Sequence, residues 1–202
     1  MPEVLAALVA GLAANPLETV AAGFGIVSVW LSTREHVASW PTGMVNVALY
    51  FLVFHGAKLY ADMWLQAIYF ALSVYGWYEW KYGGEQRSAL RVSRATARHW
   101  TVVAVVGTVG SAALGHFFAR RTDAAMPYLD STLSVVSLLA QWMMTRKLVE
   151  NWAVWVALDL VYVAMFLSRG LYPTALQYAV FLGLAAKGFV DWRRTWLARA
   201  SS

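Results

Sequence analysis

Apolar segments recur along the chain, near 17–33, 36–55, 61–81, 99–119, 128–146, 150–168 and 172–192, each bounded by a short polar stretch. A run of about 20 apolar residues crosses the hydrocarbon core of a bilayer as a helix. The pattern predicts an all-α membrane protein with seven transmembrane helices. Asn15-Pro16 marks the start of the first, since Pro is tolerated in an opening turn. The one long connection, 82–98 (YGGEQRSALRVSRATAR), is polar, glycine-led and basic. Residues 1–16 form a short N-terminal segment with no basic n-region, so it does not read as a cleavable signal. Its apolar part lies at the membrane interface or extends the first helix backwards. Residues 193–202 read as a polar tail.

Composition sharpens this picture. The 202 residues are 60% hydrophobic, 15% aromatic and only 13% charged, against about 25% charged in a soluble domain. A soluble all-α protein would need polar helix faces to wet, and most of these segments have none. There is no Cys, which excludes disulfides, thiolate metal sites and a Cys nucleophile. The formal net charge of +5 would suggest nucleic acid in a soluble chain. Here the basic residues sit in short loops and report orientation instead. Of the 16 Lys and Arg residues, Lys58, Arg120, Arg121 and Arg169 fall on the side of the N-terminus. The others, including Arg34, Lys81, Arg87, Arg91, Arg94, Arg98, Arg146, Lys147, Arg193, Arg194 and Arg199, fall on the opposite side or in the last helix. The expected topology is N-terminus outside and C-terminus cytoplasmic.

The chain also repeats itself. A shift of 112 residues lays Trp30 on Trp142, Thr33-Arg34 on Thr145-Arg146 and Trp40 on Trp152. It lays Tyr50 on Tyr162, Phe54 on Phe166, Gly76 on Gly188 and Trp80 on Trp192 without a gap. Four crossings separate equivalent points, so the two halves point the same way. The expected arrangement is a parallel 3+1+3 repeat: residues 17–81, a linker helix at 99–119, and residues 128–192. Such repeats occur in transporters that bind substrate between the halves. A duplicated bundle without transport is the plain alternative.

Polar groups inside hydrocarbon are costly and mark candidate sites. Asp159 lies in the middle of WAVWVALDLVYVAMFL. With Trp152, Trp155, Tyr162 and Phe166 it follows three- and four-residue steps, which place all five on one helix face. An acid among aromatic rings suits a flat cationic ring; an interhelix hydrogen bond is the alternative. The second span carries Trp40, Asn46 and Tyr50, and Asn46 offers both a donor and an acceptor. The third carries Asp62, Gln66 and Tyr69 on one face. Ser134, Gln141 and Thr145 in the fifth, and Gln177 with Tyr178 in the seventh, complete the candidates. Lys187 reads most simply as snorkelling to the cytoplasmic surface. No phosphate loop, GxGxxG or HExxH occurs, the four His are scattered, and no catalytic pair stands out. The chain therefore reads as a non-enzyme without metal or cofactor.

Residues 40–80, with WPTGMVN, KLYADMWLQ and YGWYEW, resemble the signature region of the PnuC-type nicotinamide riboside transporters. Residues 151–192, with NWAVWVALD and GLYPTALQY, resemble that family's C-terminal region. The resemblance implies seven spans in a SWEET-like 3+1+3 fold of the inner membrane, and homotrimers. It implies facilitated diffusion of nicotinamide riboside, trapped inside by a cytoplasmic kinase; relatives carry thiamine or riboflavin. Matched by motif, the substrate-binding set is Asn46, Gln66, Trp152, Trp155, Asp159, Tyr162 and Tyr178. Gln177 departs from the Leu-Tyr of many members, and an extra amide facing the chamber would alter vitamin preference.

Overall fold

The computed structural model describes residues 16–122, 126–168, 170 and 172–200. Residues 1–14, expected at the interface or in a backward extension of the first helix, lie outside the described residues, as does Arg169. Seven long helices follow in order: α1 Pro16–Thr33, α2 Ser39–Gly56, α3 Tyr60–Tyr82, α4 Ala97–Arg121, α5 Pro127–Thr145, α6 Asn151–Ser168 and α7 Tyr172–Ala200. Pro16 and Pro127 open α1 and α5, where a missing N–H leaves no bond unmade. Thr96 caps α4, and its backbone N–H donates to His99 Nδ1 at 3.0 Å. Where a cytoplasmic tail was expected at 193–202, α7 continues as helix to Ala200.

Six helices close a ring. Packing runs α1 to α2, α2 to α3, α3 to α5, α5 to α6, α6 to α7, and α7 back to α1; α4 stands outside against α5. By length and composition alone, α4 (mean hydropathy 1.8) and α6 (1.5) are apolar enough to cross a membrane. The other five are of similar length but interleave Ser, Gly, Trp and Tyr, which lower mean hydropathy. Outward faces are largely apolar: Leu52, Val105, Val109 and Phe117 are each more than half exposed. Such a surface fits a hydrocarbon solvent.

One end of the ring is filled by four tryptophans. Ring centroids are 5.2 Å apart for Trp40–Trp80, 5.7 Å for Trp80–Trp192 and 5.4 Å for Trp192–Trp152. Trp80 Nε1 donates to Met144 O at 3.0 Å, and Trp192 Nε1 donates to Ser32 O at 3.1 Å. These two bonds are the same bond under the 112-residue shift, each made by one half to the other. The correspondence extends further. Thr33 and Thr145 bond back to Trp30 O and Trp142 O, and Tyr50–Phe54 and Tyr162–Phe166 both stack. Glu35 and Lys147 occupy equivalent turn positions with left-handed φ and pair with each other at 3.3 Å. The Lys147 ammonium also lies 4.5 Å from the centre of the Trp80 ring. Burial draws Lys147 below the ordinary lysine range, and the Glu35 carboxylate offsets part of that shift.

The long basic connection is a strap across this end. Leu90 N–H donates to Trp80 O at 3.1 Å, Ser93 N–H to Lys147 O at 3.0 Å, and Val149 N–H to Ser93 O at 3.0 Å. Arg94 pairs with Glu150, whose other oxygen accepts the Ala95 N–H at 2.8 Å. Val92 is buried against the tryptophans.

The Trp layer demands glycine beneath it. A Cβ on Gly76 would sit 2.3 Å from Trp40, and one on Gly188 would sit 2.5 Å from Trp152. Neither indole can withdraw without breaking the layer. Gly76→Ala and Gly188→Ala should each destabilise the protein by about 1–3 kcal/mol. Gly23→Ala, with nothing within 4 Å, should be neutral. Thermal unfolding in detergent, read by static light scattering, checks the contrast.

Candidate functional site

A cavity of about 250 Å³ lies inside the ring, directly against the Trp layer. All six ring helices line it. Ala21, Gly25, Ser28 and Ser32 follow three- and four-residue steps on α1, and the last three of these face the cavity. From α2 come Ser39, Trp40, Gly43, Asn46 and Val47; from α3, Gln66, Tyr69 and Ser73. The second half supplies Gln141 and Met144, then Trp152, Trp155 and Asp159, then Tyr178, Phe181 and Ala185. No Lys, Arg or His lines the cavity among the described residues.

Asp159 is 3% exposed and has no hydrogen bond or ion pair among the described residues. The packing bond that would have explained it is absent there. Asn46 serves both readings: its Nδ2 donates to Ala21 O at 2.7 Å, which fixes the amide across α1 and leaves Oδ1 for a ligand. Tyr69 spends its hydroxyl on Ser137, at 2.5 Å, and presents its ring. Trp40 Nε1, Trp152 Nε1 and Ser39 Oγ are buried without partners. Leaving a buried donor unpaired costs about 1–3 kcal/mol, a cost carried here beside the cavity.

Of the residues singled out in the sequence, Asn46, Gln66, Trp152, Trp155, Asp159 and Tyr178 line this cavity, as do Trp40, Tyr69 and Gln141. Three do not. Tyr162 stands behind Tyr178, with ring centroids 4.5 Å apart, and lines a second cavity. Tyr50 and Gln177 lie beside each other and neither lines the cavity, so the extra amide is not among the chamber walls. Of the polar fifth-span residues, Thr145 is buried and bonded within its own helix, while Ser134 faces the second cavity. Lys187 pairs with Asp191 one turn on. Sequence reasoning missed the α1 wall altogether. Its signal was the spacing of small residues at 21, 25, 28 and 32.

Comparison with known proteins agrees with this geometry. The family model for nicotinamide mononucleotide transporters matches residues 15–194. The chain belongs to this transporter family. It is 30% identical to the nicotinamide riboside transporter PnuC of Escherichia coli (strain K12), over 87% of this chain and 84% of that one. It is 29% identical to the riboflavin/roseoflavin transporter RibM of Streptomyces davaonensis, over 83% of this chain and 80% of that one. A crystal structure of the vitamin B3 transporter PnuC superposes with a TM-score of 0.72 at 24% identity, covering 96% of this chain and 88% of that one. The seven-helix fold is thus shared with that solved transporter, and the relatives are bacterial inner-membrane transporters.

Within the transporter, Gly25 holds the Asn46 amide in place. A Cβ there would lie 2.9 Å from Asn46 Nδ2. Gly25→Ala should swing the amide away from Ala21 and weaken binding in the chamber by about tenfold, the worth of one good hydrogen bond. Calorimetric titration against the wild type measures this; an unchanged affinity would remove Asn46 from the ligand's contacts.

Proposed function

We propose that the chain carries nicotinamide riboside across the bacterial inner membrane by facilitated diffusion. The observation that carries this reading is Asp159: a buried carboxylate with no cationic partner among the described residues, in a chamber walled by Trp155, Trp152, Tyr178 and Phe181. A pyridinium ring supplies the missing charge and stacks on the aromatic faces. Asn46, Gln66 and the free indole N–H groups suit the carboxamide and ribose. Tyr162 acts from behind, by holding Tyr178.

The same chamber argues for a nucleoside over a nucleotide. A phosphate would enter the chamber beside the Asp159 carboxylate with no basic side chain among the described residues to meet it, at a high desolvation cost. Phosphorylation by a separate cytoplasmic kinase would therefore trap the substrate, because the chamber cannot take the product back. Thiamine, which also bears a cationic ring, is the second reading. Riboflavin is neutral and bulkier than a single-ring nucleoside and leaves Asp159 unmatched. A non-transporting scaffold would bind without flux.

The recurring contacts at a 112-residue offset support two parallel three-helix halves, 17–81 and 128–192, joined by the linker helix 99–119, in the 3+1+3 sense. The charge bias supports an outside N-terminus and a cytoplasmic C-terminus, which puts the Trp layer and its basic strap on the cytoplasmic side. The outward apolar face of α4 is where homo-oligomer contacts, a trimer by resemblance, would form. Exchange between halves, with no chemical step, opens the chamber to either side.

Purified protein titrated with nicotinamide riboside, thiamine and riboflavin tests the assignment. Saturable binding of nicotinamide riboside, followed by its uptake into sealed vesicles, is expected. Asp159→Asn should weaken that binding by about 10- to 100-fold, the loss of a charge-assisted contact. Trp155→Ala should weaken it as well, through lost stacking. Equal binding of neutral and cationic ligands, or an Asp159→Asn protein of undiminished affinity, would overturn the cation reading.

A further inference from the structure

A second cavity, of about 570 Å³, lies at the other end of the bundle, among the start of α3, the end of α4 and the start of α5. Asp62 and Asp130 both line it, and neither has a basic partner among the described residues. Trp64, Phe118 and Tyr162 supply aromatic wall. Ser131 also lines it; this side chain is 1% exposed, yet its Oγ has no hydrogen-bond partner. Acidic, aromatic and unsatisfied, the space has the same chemistry as the chamber.

Two helix faces join the spaces. On α3, Asp62 lines the second cavity, while Gln66 and Tyr69, one and two turns on, line the chamber. On α6, Tyr162 lines the second cavity and Asp159, three residues earlier, lines the chamber. Tyr162 of the second cavity stacks on Tyr178 of the chamber, so the two spaces stand on either side of that ring pair. We propose that the cavity of Asp62, Asp130 and Ser131 is a waiting site for an organic, ring-bearing cation, from which the substrate passes along α3 and α6 into the chamber. This rests on the transport reading above for its direction and its substrate.

The physics favours capture over tight binding. Carboxylates in a cleft with low-dielectric walls focus the field and raise the local concentration of cations, which speeds association by about 10- to 1,000-fold. Trp64 and Tyr162 add cation–π attraction. A bare metal ion is a poor fit, since the described residues hold no cluster of three or more acidic, His or Cys ligands. The size of the space suits an organic ring instead.

The test uses the full-length protein in detergent, labelled with 5-fluorotryptophan and observed by fluorine NMR. Trp64→Phe assigns the Trp64 signal and Trp155→Phe the chamber signal. The ligands are N-methylnicotinamide, a small ring cation, and nicotinamide, its neutral counterpart. The cation should shift the Trp64 signal saturably and nicotinamide should not. In Asp62→Asn/Asp130→Asn that shift should vanish while the Trp155 signal still responds. Should the pair not fold, Asp62→Asn alone should show the loss in part. A Trp64 signal that stays still, or moves equally with both ligands, overturns the proposal. In vesicles at low salt and low substrate, the double variant should take up nicotinamide riboside at least threefold more slowly, with a flattened salt dependence. Unchanged uptake with unchanged salt dependence would also overturn it. A wild type that shows the Trp64 shift but no uptake supports the site and sinks the transport reading, so the two fail separately.

Discussion

Two indole hydrogen bonds hold the molecule in one piece. Trp80 reaches from the end of α3 to the last turn of α5, and Trp192 reaches from α7 to the last turn of α1. Each half thereby grips the other at its most buried point. The other contacts at that end follow from this exchange. Trp40 and Trp152 pack edge-on against the two gripping rings. Gly76 and Gly188 give them room. The Glu35–Lys147 pair sits against the Trp80 face, and the strap 83–96 lies over the assembly. Inside hydrocarbon, burying apolar surface gives helices little reason to associate. Aromatic packing and bonds to otherwise unmet carbonyls supply the specificity instead.

The number of the helices, and their lengths except for the last turns of α7, were legible in the sequence, because each span needs a long, mostly apolar run. The positions of the paired tryptophans and glycines were legible too, because the repeat aligned them without a gap. Most of the chamber followed from helix periodicity. Trp152, Trp155 and Asp159 had to share a face, and they do. The misses have physical causes. Tyr162 lies on that same face, but one turn beyond Asp159 the face has passed behind Tyr178, which comes from another helix. Periodicity within one helix cannot report a neighbour's side chain. Gln177 lies beside Tyr50 rather than on the chamber wall, a neighbourhood between segments far apart in sequence. The strap was invisible as structure because three of its bonds are backbone to backbone, which almost any sequence can make, and the Arg94–Glu150 pair joins segments far apart in sequence.

Where the two halves agree and where they differ separates scaffold from site. The scaffold positions match under the repeat: Trp40 with Trp152, Trp80 with Trp192, Gly76 with Gly188, Tyr50-Phe54 with Tyr162-Phe166. Apart from Trp40 and Trp152, the chamber positions do not. Asn46 stands opposite Leu158, Val47 opposite Asp159, Gly43 opposite Trp155 and Gln66 opposite Tyr178. A small ring-bearing molecule has no two-fold symmetry of its own, so a chamber with identical walls would meet its charged end and its polar end with the same groups. One wall must carry the acid and the broad aromatic surface, and the other the amides and the space. The side chains around the cavity differ between the halves, while the Trp, Gly and Tyr-Phe contacts that set the helix positions stay paired. A duplicated bundle kept only for structure would have no reason to break its symmetry there.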